Sequence, residues 1–145
     1  MPEIIKTVLV EHSAEDMFTL VDAVERYPEF LPWCGGTSVA HRDDVTTRAT
    51  IQINYRGIKQ SFTTQNTKSP PQAMSVRLVE GPFRTLDGDW RFLALSGGGC
   101  KIEFRLHYEF SSRILEKLVG PVFHYIANTM VDAFVHRADE IYGSR

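Results

Sequence analysis

The eleven residues CKIEFRLHYEF, at positions 100–110, alternate strictly between apolar and polar side chains. Side chains in a β-strand point alternately to opposite faces, so the apolar residues here would all lie on one face of a sheet. From 113 to 142 the apolar residues instead recur every three or four positions, which predicts one long α-helix. A sheet with one apolar face and a helix with one apolar stripe must cover each other, and this pairing strongly limits the fold.

Six further segments are typical of antiparallel strands because they alternate and are bounded by turn residues. They are 3–11, 36–43, 45–55, 58–68, 73–80 and 83–96. The sequence SAED at 13–16 reads as a capping box and predicts a short helix that ends before Pro28. The order predicts a single α+β domain over 1–145, in which a curved antiparallel sheet of about seven strands wraps around the long C-terminal helix.

Charge is unevenly distributed along the chain, although the net charge is only −2. Residues 45–79 contain five Lys or Arg and no Asp or Glu, whereas the remaining residues carry an excess of acids. One interpretation is a solvated sheet face. The other is a docking surface for phosphate, of RNA or of lipid headgroups, with Arg48, Arg56, Lys59 and Lys68 as candidate contacts.

Several classes of protein are not expected from this sequence. The two cysteines have no metal-ligand spacing, so no metal site is predicted. The N-terminal residues do not resemble a signal peptide, and no apolar run approaches the length of a membrane span. We expect a cytoplasmic protein with reduced thiols, and no required cofactor.

The middle of the long helix is unusually apolar, since residues 118–131 contain no charged side chain and are apolar on more than one face. These residues either fill an ordinary core or form one wall of a ligand cavity. Candidate ligand contacts are Val122, Phe123, Ile126 and Met130 on the helix and Phe83, Trp90 and Phe104 on the strands. Two polar residues on an inward face, Gln60 and Thr64, would either meet backbone groups or bind a polar ligand head.

The segment YPEFLPWC at 27–34, here called the aromatic–proline segment, places large apolar side chains between two prolines. Proline restricts the backbone, so these side chains are held at a low entropic cost. Tyr27, Phe30, Leu31 and Trp33 would form either a gate at one end of the cavity or a plug that never opens.

No catalytic motif is present: the chain lacks G-x-S-x-G, a P-loop and H-E-x-x-H, and its five histidines are scattered. The outward-facing Glu103 and Glu109 form a poor acid–base pair. The sequence therefore predicts a binding protein and not an enzyme.

Four motifs together resemble the coenzyme-Q-binding START-like family, part of the helix-grip superfamily of polyketide cyclases and lipid-transfer domains. They are YPEFLPWC, VEGPFRTLDGDWRF at 79–92, CKIEFRLHYEF, and ANTMVDAF at 127–134. Within the family the chain is most similar to the bacterial members known as ribosome-association toxins.

The resemblance implies a helix-grip fold with a hydrophobic tunnel that holds ubiquinone or a related polyprenyl lipid. The protein would then be a carrier or chaperone that supports respiration, with transient contact with the inner membrane. The toxin members imply an alternative, in which the protein binds the large ribosomal subunit and blocks subunit association. A second alternative, from the cyclase members, is an enzyme of the aromatase/cyclase type.

Overall fold

The structure is a computed structural model that describes residues 3–143. Its strands are β1 (Glu3–Val10), β2 (Cys34–Arg42), β3 (Thr46–Tyr55), β4 (Ile58–Ser69), β5 (Ala73–Glu80), β6 (Phe83–Ala94) and β7 (Cys100–Phe110). The α-helices are α1 (Ala14–Asp22) and α2 (Arg113–Tyr142), and a 3₁₀-helix covers Val24–Glu29. The predicted α+β helix-grip architecture is confirmed.

All seven strands form one antiparallel sheet in the order β1-β7-β6-β5-β4-β3-β2. Each neighbour in space is also a neighbour in sequence except for β1, which pairs with β7. Register shifts mark bulges in β2, β5 and β6, and bulges bend strands and so curve the sheet. Arg56 and Gly57 form the predicted β3–β4 turn, with φ of 51° and 82°. Positive φ at both central residues defines the tight type I′ hairpin.

Helix α2 lies across the concave face of this sheet. It begins after Ser112, whose hydroxyl accepts a hydrogen bond from the backbone N–H of Leu115, and it buries seven residues: Val119, Phe123, Ile126, Ala127, Val131, Phe134 and Ala138. Each large apolar side chain buried in this way contributes about 1.5–3 kcal/mol. By length and composition alone, α2 is the one helix within residues 3–143 that could cross a membrane, and a third of its apolar window is buried.

Sequence patterns located α2, β5 and β7 to the residue, and the other strands to within two residues. The aromatic–proline segment differs more. It is partly helical, because the 3₁₀-helix at Val24–Glu29 includes Pro28, where the sequence predicted that helical structure would already have ended. The hydroxyl of Tyr27 donates to the carbonyl of Val21, and this bond folds the segment back against α1.

Candidate functional site

A cavity of about 70 Å³ lies between the concave face of the sheet and α2. Its walls are almost entirely apolar side chains, contributed by α1, the 3₁₀-helix, five strands and α2. A dry cavity of about 150 Å³ is enough to bind benzene. In this closed conformation the cavity is therefore smaller than a site for one aromatic ring.

Six of the predicted ligand contacts line this cavity: Tyr27, Trp90, Phe104, Phe123, Ile126 and Met130. Five others lie outside its lining, and their role as ligand contacts stays a prediction: Phe30, Leu31, Trp33, Phe83 and Val122. Phe83 instead packs between Phe110 and Phe123, with ring centroids 4.9 Å from each. Leu31 and Trp33 are buried core residues, and Val122 is half-buried.

Sequence reasoning missed most of the strand residues that line the cavity. These are Ala49, Ile51, Phe62, Asn66, Met74, Val76, Leu86 and Leu106. Each lies on the inward side of its strand, so the period-two pattern carried the signal. The pattern tells which face is inward, but not which inward residues surround a space left unfilled.

Two polar side chains of β4 interrupt the apolar lining. Thr64 and Asn66 are both buried, and the Thr64 hydroxyl donates to the side-chain oxygen of Asn66 at 3.0 Å. The amide N–H₂ of Asn66 is then a free donor, and the Thr64 hydroxyl and the Asn66 amide oxygen can each still accept a hydrogen bond. Gln60, by contrast, is half-buried and does not line the cavity.

The aromatic–proline segment closes one end of the space between α1 and α2. The rings of Tyr27 and Phe30 each meet Phe134 of α2 with centroids 5.3 Å apart, edge to face. Arg137 joins the same contact, since its guanidinium lies over Phe30 and donates to Glu29 at 2.7 Å. Burial raises the pKa of the Tyr27 hydroxyl, which therefore stays neutral.

Lys68 lies in the interior, and its predicted role as a phosphate contact is corrected. It is only 7% exposed, and its Nζ lies 3.2 Å from the carboxylate of Asp22 at the end of α1. The hydroxyl of Thr47 donates to the other oxygen of the same carboxylate at 3.2 Å. A charge this deeply buried is tolerated because it is paired, and it cannot reach a ligand outside the sheet.

Of the other predicted cations, Arg48 and Lys59 lie on the convex side of the sheet and Arg56 lies in the β3–β4 turn. Arg48 on β3 is exposed and is followed across the sheet by Gln65 on β4 and Arg77 on β5. Lys59 is also exposed, near the β3–β4 turn, where Arg56 lies over the ring of Tyr55 at 5.1 Å. Arg77 completes this group, and the sequence candidates had omitted it.

Strands β2, β3 and β4 contain no Asp or Glu, and in β5 the one acid is Glu80 at its end. The convex side of β2, β3, β4 and β5 is here called the basic face. Within residues 3–143, Arg48, Lys59 and Arg77 make no ion pair. Amide and hydroxyl side chains lie around these cations. Beside Lys59 there is a groove of about 530 Å³, lined by Gly35, Gln52, Ile53, Asn54, Lys59, Gln60 and Ser61.

Carboxylates lie at two borders of the basic face: Asp87 of β6 is opposite Arg77 in the register, and Asp43 and Asp44 lie in the β2–β3 turn at one end. There, the His41 ring bonds to the carboxylate of Asp43 at 2.7 Å. This bond, with two backbone N–H donors, lowers the pKa of Asp43 to about 2. The turn is thus firmly anionic at one end, while the strands beside it carry cations and neutral polar groups.

The chain belongs to the family described as polyketide cyclase / dehydrase and lipid transport, which it matches over residues 10–135. The resemblance drawn from its motifs is thereby confirmed. Ribosome association toxin RatA of Vibrio cholerae (strain El Tor Inaba N16961) is 42% identical over 143 residues, 99% of each chain. The protein of the same name from Escherichia coli (strain K12) is 41% identical, over 100% of this chain and 92% of that one.

A more distant relative is the mitochondrial Coenzyme Q-binding protein COQ10 homolog B of Xenopus laevis, 29% identical over 90% of this chain and 55% of that one. Among solved structures, the 18 kDa protein CC1736 of Caulobacter crescentus has a TM-score of 0.75 at 26% identity, over 99% and 100% of the two chains. The Zhui aromatase/cyclase of a Streptomyces species has a TM-score of 0.78 over 95% and 93%, but at 14% identity this shows the fold alone.

Proposed function

We propose that this protein associates with the large ribosomal subunit through the basic face and thereby blocks the joining of the two subunits. The observation that carries the proposal is the group of exposed cations Arg48, Lys59 and Arg77, which make no ion pair within residues 3–143 and belong to a stretch, 45–79, that contains no Asp or Glu. The relatives at 41–42% identity, which are named for ribosome association, support the same function.

The chemistry of the basic face suits RNA better than an acidic protein surface. Arg48, Lys59 and Arg77 can each neutralise a phosphate and release its counterions. The surrounding Ser, Thr, Asn and Gln side chains can bond to phosphate oxygens and to ribose 2′-hydroxyls, which double-stranded RNA displays in its wide minor groove. Since these contacts are to the backbone, binding would depend on RNA shape more than on base sequence.

Sucrose-gradient sedimentation with purified subunits tests this proposal. We expect the protein to migrate with the large subunit and to reduce the amount of joined ribosome. The variant R48Q/K59Q/R77Q should bind at least tenfold more weakly, because three phosphate contacts are lost. The matched control R84Q/R91Q/K101Q removes the same charge from β6 and β7, where Arg84 and Arg91 are exposed and Lys101 is half-buried, and should bind normally. Equal weakening of both variants would contradict a docking role for the basic face.

A second candidate function is the binding of ubiquinone or a related polyprenyl lipid in the interior cavity. It is favoured by the apolar lining with a single polar pair, Thr64 and Asn66, and by the distant relative named for coenzyme Q binding. The Asn66 amide could donate to a quinone carbonyl, and each buried methylene of the tail would contribute about 0.8 kcal/mol. At about 70 Å³ the cavity must open first, by movement of α2 or of the aromatic–proline segment.

Organic extraction and native mass spectrometry, on protein from a quinone-producing host, test the second function. A bound prenyl quinone that is lost in M130W, which fills the cavity, would support it. L95W adds the same ring at an exposed site and serves as the control. Absence of any lipid, together with no binding of added quinone, would remove this function. That the protein is not an enzyme stays a prediction, since the likeness to an aromatase/cyclase shows only a shared fold.

A further inference from the structure

The first half of α2 exposes large apolar side chains on the side that faces away from the sheet. Ile114 is 70% exposed, Leu118 60% and Tyr125 48%. These positions are four and seven residues apart, so with Pro121 between them they lie along one line of the helix surface. This line of four residues is here called the apolar ridge.

The ridge is not the core-facing side of the helix. Val119, Phe123 and Ile126 occupy that side and are almost completely buried. A helix packed on a sheet ordinarily carries charged residues on its outer face, and the second half of α2 does so, with exposed Asp132 and Glu140. An outer face that is apolar instead marks a surface that contacts another molecule.

The ridge continues onto the β3–β4 hairpin. The ring of Tyr125 stacks on Tyr55, with centroids 5.8 Å apart and planes within 2° of parallel. The guanidinium of Arg56 lies over the Tyr55 ring, 5.1 Å from its centroid. The Tyr125–Tyr55 pair is therefore one end of the ridge, and the cation Arg56 lies next to it at the tip of the hairpin.

Cations border the ridge, and acids are directed away from it. Arg113 and Lys117 are exposed in the first turns of α2, beside Ile114 and Leu118. Glu116 lies two residues from Ile114, about 200° around the helix, and no further acid occurs before Asp132. An apolar strip bordered by Lys and Arg, with Tyr at one end, matches the composition of helices that lie in the headgroup layer of a membrane.

We propose that the apolar ridge docks on the surface of an anionic lipid bilayer. Ile114 and Leu118 enter the boundary between headgroups and acyl chains, Tyr125 and Tyr55 lie at headgroup level, and Arg56, Arg113 and Lys117 contact lipid phosphates. This surface is separate from the basic face, so the inference does not depend on ribosome association.

The dimensions of the ridge favour lipid over a second copy of the chain. From Ile114 to Tyr125 it is about 17 Å long, and with a helix width of about 10 Å it offers roughly 170 Å². A stable protein interface needs about 800 Å² from each partner. A lipid surface has no such requirement, because affinity there grows with each inserted side chain and each nearby cation.

Vesicle co-sedimentation tests the proposal with phosphatidylcholine vesicles that contain or lack phosphatidylglycerol. We expect binding to the anionic vesicles and much weaker binding to the neutral ones. The variant I114Q/L118Q should bind anionic vesicles at least tenfold more weakly. Its matched control is I5Q/L9Q, which changes the same residue types on β1 at 67% and 68% exposure and should bind normally. R113Q/K117Q should lose about fivefold per cation on anionic vesicles alone.

Three results would overturn the inference. One is the absence of binding to either vesicle, and another is equal binding by I114Q/L118Q and the wild type. The third is a dimer, detected by light scattering after size exclusion, that I114Q/L118Q dissociates, because the ridge would then be a contact between copies. Circular dichroism of each variant confirms folding. Normal ribosome sedimentation by I114Q/L118Q would keep this result separate from the proposed function.

Discussion

The convex side of the sheet has two halves that differ in how their charges are satisfied. On β6 and β7 acids lie beside the cations: Arg105 contacts Asp87 and Asp89, and Arg84 contacts Glu109. Arg91 makes no ion pair within residues 3–143 but lies opposite Glu103 in the β6–β7 register. On β3, β4 and β5 the exposed cations have no acidic partner among residues 3–143. The first half supplies most of its cations with acidic partners, whereas the second has exposed cations that can bind an anion.

This difference follows from the topology. Strands β2, β3, β4 and β5 are consecutive in both the chain and the sheet, so a stretch of sequence without acids becomes a continuous patch. Strand β1 crosses to the other edge and pairs with β7, which brings Glu3 within 3.7 Å of Arg105. Charge that is segregated along the chain is therefore segregated in space.

The largest expected effect comes from adding acids to the basic face. Q52E/T67E places two carboxylates on exposed positions of β3 and β4 and should weaken binding to the large subunit about a hundredfold, because like charges brought together cost several kcal/mol. Equilibrium binding to purified subunits measures this. I5E/L9E adds the same charge opposite Arg105 and Lys101 and should leave binding unchanged. If both variants bind equally well, the two halves do not differ in function.

The next largest effect is expected from Lys68, the buried cation of the stretch 45–79. K68M leaves the Asp22 carboxylate, whose side chain is 22% exposed, without its ionic partner. Breaking a buried pair costs about 3–5 kcal/mol, and partial exposure of Asp22 reduces this to about 2 kcal/mol. Urea unfolding checks the value. The free energy of unfolding should fall in K68M and be unchanged in K59M, whose side chain is exposed.

Lys68 also shows where sequence reasoning stopped. After Phe62, the inward positions of β4 at Thr64, Asn66 and Lys68 follow from the period of two. The alternation could thus have predicted that Lys68 is buried. Its partner Asp22 lies 46 residues earlier, on α1, and no local pattern encodes that contact.

The architecture was predictable because β7 and α2 each keep one period over their whole length. The size of the cavity was not, since it depends on how side chains from α1, five strands and α2 fill a shared volume. Trp33 and Phe83 illustrate the difference. Both are aromatic and point inward, as the sequence indicates, yet both pack in the core and neither lines the cavity.

The smallest expected effect is the removal of a single cation from the basic face. R77Q should reduce affinity only a few-fold, but it should lower the slope of log affinity against log salt by about 0.7–0.9, the contribution of one phosphate contact. Titration of the large subunit at several salt concentrations measures the slope. R84Q, in the paired half, should leave it unaltered. A slope that is the same for R77Q and the wild type would exclude Arg77 from the interface.

Site-specific photocrosslinking tests the central claim most directly. A photoreactive benzoyl-phenylalanine replaces either Gln52 on the basic face or Thr85 on the paired half, both exposed. After irradiation with the large ribosomal subunit, we expect a crosslink to ribosomal RNA from position 52 and none from position 85. A crosslink from position 85 alone would contradict this, because the docking surface would then lie on the half of the sheet where most cations are already paired with acids.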